Sequence, residues 1–134
     1  MQANLMNVLF ATDGKPHSDK ATKYAMEYAK RQDAKLFIVF VVSPKADEDK
    51  ERLIQNGMKV LERLKLEAVE KGVEATTLLE AGSPYEAIIS ASDRVKAEAI
   101  IVGTSGKTVL DRVLIGSVSE YVVRNSRCTV IVVK

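Results

Sequence analysis

Several residue types are scarce in this chain of 134 residues. It has no tryptophan, and its aromatic side chains are limited to three phenylalanines and four tyrosines, which leaves few platforms on which the bases of a nucleic acid stack. The single cysteine, Cys128, excludes an internal disulfide and is interpreted as a small buried apolar residue. The single histidine, His17, has no neighbouring cysteine or second histidine with which to bind a metal ion.

The chain also lacks an excess of charge of one sign and long apolar runs. The 20 basic and 18 acidic side chains are interspersed and give a formal net charge of +2, so the sequence indicates neither a nucleic-acid partner nor a membrane partner. No apolar run approaches the length that spans a bilayer, and the first residues carry no basic signal segment. We therefore expect a cytoplasmic protein with one domain over residues 1–134.

Apolar runs and amphipathic segments alternate along the chain. Runs typical of buried strands cover residues 6–11, 36–42, 73–79, 99–102 and 129–133. Between them, apolar residues recur at helical spacing after Ser18, over 47–71 with Gly72 as its cap, after Pro84, and over about 117–125. This alternation predicts an α/β fold, a doubly wound five-stranded parallel sheet with helices on both faces and right-handed crossovers.

A glycine-rich turn follows the fourth predicted strand. Gly103 comes directly after the apolar run 99–102 and is followed by Gly106; after nine intervening residues come Gly116 and Ser117. A strand that leads through such a turn into a helix presents backbone N–H groups beside a positive helix end, and this arrangement binds phosphate. The pattern alone has an ordinary alternative, because glycines often serve only as turn residues and serine is a frequent N-cap.

Two better-known phosphate motifs are excluded by their spacing. Gly106 with the next two residues resembles the end of a P-loop, but the glycine required five positions earlier is replaced by Ile101. The dinucleotide fingerprint needs three glycines near the first strand, where the chain has only Gly14. The place of the turn still favours a phosphate site, since ligands of such sheets bind beyond the carboxyl ends of the strands.

In these residues the chain resembles the universal stress proteins, specifically their ATP-binding branch. The specific part of the resemblance is Gly103-x2-Gly106-x9-Gly116-Ser117, which matches the family's nucleotide motif in residue type and spacing. Supporting segments lie at 11–14, 41–42, 81–84 and 128–133, so that the resemblance covers essentially all of residues 5–134. It implies a single universal stress protein domain with a Rossmann-like sheet of the adenine-nucleotide alpha-hydrolase type.

The resemblance also implies a nucleotide site. Asp13 is expected to lie against the nucleotide, with an Asx-turn as the ordinary alternative, and Val41 to recognise the adenine edge through its backbone. Gly103 and Gly106 are expected to form the ribose and phosphate turn. The implied binding residues are Ala11, Thr12, Asp13, Val41, Val102, Gly103, Gly106, Gly116, Ser117, Val118 and Ser119.

The expected ligand is ATP, with AMP and ADP left open, together with Mg²⁺ held by Asp13 directly or indirectly. Lys15 stands where the family often has a serine, and its role and that of His17 stay open. Lys107 and Arg112 are expected either to contact the outer phosphates or to be ordinary solvated cations.

These residues favour a nucleotide-dependent regulatory or stress-response protein with slow or no hydrolysis. Phosphoryl transfer needs a metal and a residue that positions the nucleophile, and no second carboxylate stands at a recognisable spacing from Asp13. One alternative is a Mg-dependent ATPase or phosphotransferase. Another is a receiver-like phosphoacceptor, which is disfavoured because the third strand ends in Leu79-Glu80-Ala81 without an aspartate.

The last predicted strand, 129–133, is apolar and has only Lys134 to protect its tip, which is poor protection for an exposed sheet edge. The resemblance implies a homodimer formed by antiparallel pairing of this strand across a two-fold axis. The chemistry of an unpaired edge favours such an association independently.

Overall fold

The computed structural model describes residues 6–104, 108–109, 112–113 and 116–134. Its elements follow one another in the order β1 (Asn7–Ala11), a 3₁₀ turn (Pro16–Ser18), α1 (Asp19–Gln32), β2 (Lys35–Val42), α2 (Lys50–Glu70), β3 (Ala75–Ala81), α3 (Pro84–Val95), β4 (Ala99–Gly103), β5 (Thr108–Val109), β6 (Arg112–Val113), α4 (Ser117–Asn125) and β7 (Thr129–Val133).

Five strands form a parallel sheet in the order β3-β2-β1-β4-β7, which confirms the predicted fold. The chain winds from the central β1 outward to β3, and then crosses to the other side of β1 to add β4 and β7. The strand order therefore reverses between β1 and β4. In open sheets of this kind the crevice at such a reversal, beyond the carboxyl ends of the strands, is where ligands bind.

Each face of the sheet carries its own apolar layer. Successive residues of a strand point to opposite faces, so Val8 and Phe10 of β1 pack with α1 and α2, whereas Leu9 between them packs with α3 and α4. All three side chains are fully buried. The continuous apolar runs of β1, β2 and β4 are thus explained by burial on both faces.

The predicted ends of two elements need correction. Helix α2 begins at Lys50 rather than at residue 47, because Asp49 is its N-cap and accepts a hydrogen bond from Arg52 N at 3.2 Å. Strand β3 covers Ala75–Ala81 rather than 73–79. Its first predicted residue, Val73, instead belongs to the turn after α2, where its N–H donates to Ala68 O at 2.8 Å.

The turn after α2 follows the prediction, since Gly72 adopts a φ of 73° directly after the helix. The antiparallel hairpin of β5 and β6 was not predicted. Each of its strands has two residues, which is too short for any periodicity to show in the sequence.

Strand β7 lies at one edge of the sheet and pairs with β4 on its inner side. Among the helices within the described residues, none has both the length and the apolar composition that a membrane crossing requires.

Candidate functional site

A cavity of about 280 Å³ opens where the strand order reverses. The turns after β1 and β4 form its floor, the carboxyl half of β2 and the start of α3 form one wall, and the N-terminus of α4 forms the other. Five parts of the chain that are distant in sequence therefore converge here because the parallel strands all end at this edge.

One wall of the cavity is apolar. Val39 and Val41 of β2 line it together with Ile88 of α3 and Val102 of β4. Val39 is fully buried, whereas Val41 is half-buried. The wall offers a water-excluding surface of the kind on which a flat, largely apolar group packs.

The backbone of Val41 adds polar groups to this wall. Pairing between β1 and β2 ends at Ala11 and Val39, beyond which Thr12 N donates to Val39 O at 3.1 Å. Backbone groups of residues two apart in a strand point in the same direction. The N–H and C=O of Val41 therefore face the space beyond the end of β1, on the side of the cavity.

The turn after β1 is held by its own side chains. Thr12 Oγ1 accepts from Gly14 N at 3.0 Å, and Asp13 Oδ1 accepts from Lys15 N at 3.0 Å. Asp13 thus makes the Asx-turn that was its ordinary alternative, and it lines the cavity as well. Gly14 has a φ of 72°, and a Cβ on it would lie 2.6 Å from Cγ1 of Val60, so the turn requires glycine.

Asp13 also contacts His17. The Nε2 atom of His17 lies 3.0 Å from Oδ2 of Asp13, and both residues line the cavity. The two side chains are 35% and 46% exposed respectively, so water screens the interaction. Among the described residues, no cluster of three or more histidine, cysteine or acidic side chains is arranged to hold a metal ion.

The N-terminus of α4 faces the cavity with backbone N–H groups that have no acceptor within the helix. Gly116 is the N-cap, and the first backbone bond within the helix runs from Glu120 N to Gly116 O at 2.9 Å. The N–H groups of Ser117, Val118 and Ser119 therefore have no acceptor within the helix, and the helix dipole adds partial positive charge beside them. This end of α4 is suited to an anion.

The interpretation of Ser117 as an N-cap is wrong. The cap position is occupied by Gly116, and Ser117 is the first residue of the helix. The serine that bonds to the cap is the buried Ser119, whose Oγ donates to Gly116 O at 3.0 Å. The hydroxyl of Ser117 instead lies 3.0 Å from the hydroxyl of Tyr85.

The sequence model of the universal stress protein family matches residues 4–134 of this chain. The chain belongs to the universal stress protein family. It is similar to a universal stress protein of Methanocaldococcus jannaschii, with 36% identity over an alignment of 137 positions, gaps included, that covers 95% of this chain and 81% of that protein.

The fold also matches solved universal stress proteins. One is a universal stress protein in complex with cAMP, with a TM-score of 0.78, 25% identity and coverage of 96% of this chain and 97% of that chain. Another is the universal stress protein from Archaeoglobus fulgidus in complex with dAMP, with a TM-score of 0.77, 22% identity and coverage of 96% and 98%. The latter likeness concerns the fold alone.

In this universal stress protein, the cavity brings together most of the residues that the sequence singled out. The lining includes Ala11, Thr12, Asp13, Val41, Val102, Gly103, Gly116, Ser117, Val118 and Ser119. The remaining member of that set, Gly106, lies outside the described residues, as does Lys107.

Sequence reasoning missed other residues of this site. Thr104 is buried directly after β4, and His17 and Ser18 reach the cavity from the 3₁₀ turn. Ser18 occupies the N-cap position of α1, but its hydroxyl makes no capping bond and instead donates to Lys15 O at 2.7 Å. The spacing of Asp13 and His17, four residues apart just after a strand, is the one signal that indicates their contact.

Proposed function

We propose that this universal stress protein binds an adenine nucleotide in the cavity at the carboxyl edge of its sheet. The observation that carries the proposal is the convergence of the α4 N-terminus with the turns after β1 and β4 on one cavity. The universal stress protein solved with cAMP supports adenine as the base.

The base is proposed to pack on the apolar wall of Val39, Val41 and Ile88. Adenine presents a donor and an acceptor side by side on its edge, and the N–H and C=O of Val41 offer the complementary pair. Guanine reverses that order of donor and acceptor. The backbone of Val41 therefore supplies a reason for selectivity between the two purines.

The phosphate is proposed to bind at the N–H groups of Ser117, Val118 and Ser119, which have no acceptor within α4. The cavity volume of about 280 Å³ lies just below the range of ligand pockets, roughly 300 Å³ and above. It suits a nucleoside with its first phosphate, while further phosphates extend outward. We propose ATP as the ligand, with AMP and ADP sharing the same contacts up to the first phosphate.

The oxygen atoms that line the cavity fit a Mg²⁺ ion that keeps most of its bound water. Of the described residues that line the cavity, Asp13 alone carries a carboxylate, and its two oxygens already contact Lys15 N and His17. Magnesium often keeps several waters and is bound by few carboxylates together with substrate phosphates. We propose that Asp13 contacts such an ion through water, and that the ion neutralises charge on the outer phosphates.

Slow or absent hydrolysis is part of the proposal. Rapid transfer of a phosphoryl group needs a side chain that positions the attacking oxygen. The pair of Asp13 and His17 is the observation that favours the alternative, an ATPase, because an imidazole beside a carboxylate accepts a proton from water. Release of phosphate from ATP at many turnovers per minute, lost in His17→Asn, would support that alternative.

Calorimetric titration tests the binding proposal. AMP and ATP are expected to bind with Kd values below about 1 mM, which is roughly 4 kcal/mol of binding free energy, and GMP is expected to bind at least about tenfold more weakly. Absence of binding by every adenine nucleotide at millimolar concentration would contradict the proposal. Equal affinity for AMP and GMP would overturn the role of Val41.

We also propose that the protein forms a homodimer through β7. This strand is an edge of the sheet and carries the apolar sequence TVIVV, four residues of which are half-buried. An unprotected apolar edge is a template for pairing with a second chain, and antiparallel pairing across a two-fold axis closes it.

A further inference from the structure

A hydrogen bond between side chains joins α3 to α4 beside the cavity. The hydroxyl of Tyr85 lies 3.0 Å from Oγ of Ser117, although the two residues are 32 positions apart. Tyr85 belongs to the first turn of α3, and its helix neighbours Pro84 and Ile88 line the cavity, as does Ser117. The bond therefore lies at the rim of the proposed phosphate site.

A second contact fixes the ring of Tyr85. It packs edge-to-face on Tyr121, with ring centroids 5.3 Å apart and an angle of 64° between the planes. Both residues are half-buried. Tyr121 lies one turn beyond Ser117 on α4, so the same helix that carries the serine also holds the tyrosine ring. The phenol oxygen is thus positioned before any ligand arrives.

The chemistry of the two hydroxyls gives this bond a direction. A serine hydroxyl has one proton and two acceptor lone pairs, and Ser117 does not use its oxygen as a helix cap. A phenol is the better donor of the two groups and an alkyl hydroxyl the better acceptor. When Tyr85 donates, the proton of Ser117 is left for another acceptor, and its donor strength rises because linked hydrogen bonds polarise one another.

We propose that Tyr85 is a positioning residue of the phosphate site. It donates to Ser117 Oγ and so directs the proton of Ser117 toward a phosphate oxygen of the bound nucleotide. This inference rests on the proposed function. It concerns the anionic part of the ligand only, since the base lies against Val39, Val41 and Ile88 on the apolar wall.

The test compares AMP with adenosine, which lacks the phosphate. Affinities are measured by calorimetry for the unmodified protein, Tyr85→Phe, Ser117→Ala and the double variant. Tyr85→Phe keeps the ring and its contact with Tyr121, and it is expected to weaken AMP binding by about threefold to tenfold. Adenosine affinity is expected to stay within about twofold, because no contact to the base changes.

The double variant decides whether Tyr85 acts through Ser117. In the Ser117→Ala background, Tyr85→Phe is expected to change AMP affinity by less than about twofold, because the group that it positions is gone. A loss in that background as large as in the unmodified protein would overturn the inference. An equal loss for adenosine and AMP would also overturn it, since that result indicates a general structural effect.

Tyr24→Phe is the matched control. Tyr24 is half-buried, like Tyr85, and stacks on another tyrosine, Tyr28, with centroids 6.1 Å apart on α1. It is expected to leave both affinities unchanged. If the unmodified protein binds neither AMP nor adenosine, the proposed function and this inference fall together. If it binds AMP and Tyr85→Phe binds equally well, only the inference about Tyr85 fails.

Discussion

Single side chains determine the shape of the turn after β1. Asp13 accepts a backbone hydrogen bond from Lys15 N at 3.0 Å and contacts His17 at the same distance. Gly14, between them, adopts a φ of 72° against the side chain of Val60. Asp13, which lines the cavity, and Gly14, which shapes the turn, are thus neighbours, and substitutions separate their roles.

Asp13→Asn tests how the carboxylate acts. An amide oxygen still accepts from Lys15 N, so the free energy of unfolding is expected to change by less than about 1 kcal/mol. The substitution removes the negative charge that attracts a metal ion. The gain in ATP affinity on adding Mg²⁺ is therefore expected to fall by threefold or more, on the order of the effect of one screened charge. Calorimetry with and without Mg²⁺ measures that gain. If the variant shows the same Mg²⁺ effect as the unmodified protein, Asp13 has no part in holding the ion.

Gly14→Ala is expected to destabilise the protein. The left-handed backbone conformation costs a residue with a Cβ about 1–2 kcal/mol, and here the added Cβ lies 2.6 Å from Val60 Cγ1. Urea unfolding is expected to show a loss of more than about 1 kcal/mol. In a Val60→Ala background the same substitution is expected to cost less, because the steric part is removed. An equal cost in both backgrounds would contradict the contact with Val60.

At the scale of elements, the helix ends carry most of the differences between sequence and structure. Apolar periodicity predicts where a helix is buried, but its first residue depends on which side chain reaches a free N–H group. Both Asp47 and Asp49 are suitable residue types, and the structure has Asp49 as the cap of α2. For α4 the cap is Gly116 rather than Ser117.

Asp49→Ala is therefore expected to lower the free energy of unfolding by about 0.5–2 kcal/mol, the usual cost of removing an N-cap. Asp47→Ala, two residues earlier, serves as the matched control and is expected to cost less than about 0.5 kcal/mol. Nucleotide affinity is expected to be unaffected in both, since neither residue lines the cavity. A larger loss of unfolding free energy in Asp47→Ala than in Asp49→Ala would indicate that α2 begins at residue 47, as the sequence predicted.

The strand pattern was predictable because buried parallel strands leave continuous apolar runs, as residues 36–42 show. The turns of the site were predictable from glycine spacing and from the family resemblance. The places of Thr104 and Tyr85 were not, because each depends on which segments meet at the cavity. The two-residue strands β5 and β6 leave no pattern in the sequence.

At the scale of the whole molecule, the two edges of strand β7 differ in their pairing. Its inner side pairs with β4, with Ile131 opposite Ile101 at the middle of the register. Its outer side is an open edge of the sheet. We expect the protein to sediment as a dimer at micromolar concentration.

Ile131→Pro is expected to shift that equilibrium toward monomer, because proline removes a backbone donor and does not fit the middle of a paired strand. Some loss of fold stability accompanies it, since β7 also pairs inward. Sedimentation velocity at several concentrations measures the change, and thermal unfolding measures the stability. A monomeric unmodified protein at micromolar concentration contradicts the dimer whatever the variant does.

The whole fold brings the donors of α4 and the backbone of β2 to one edge, and the central claim is that an adenine nucleotide binds there. A titration of ¹⁵N-labelled protein with AMP, followed by amide chemical shifts, tests this claim most directly. We predict saturable shifts at the amides of Val41, Gly103, Ser117 and Val118, with little change at the opposite edge, where Asn7 and Lys35 begin their strands. Shifts confined to the opposite edge, or no shift at millimolar AMP, would contradict the account.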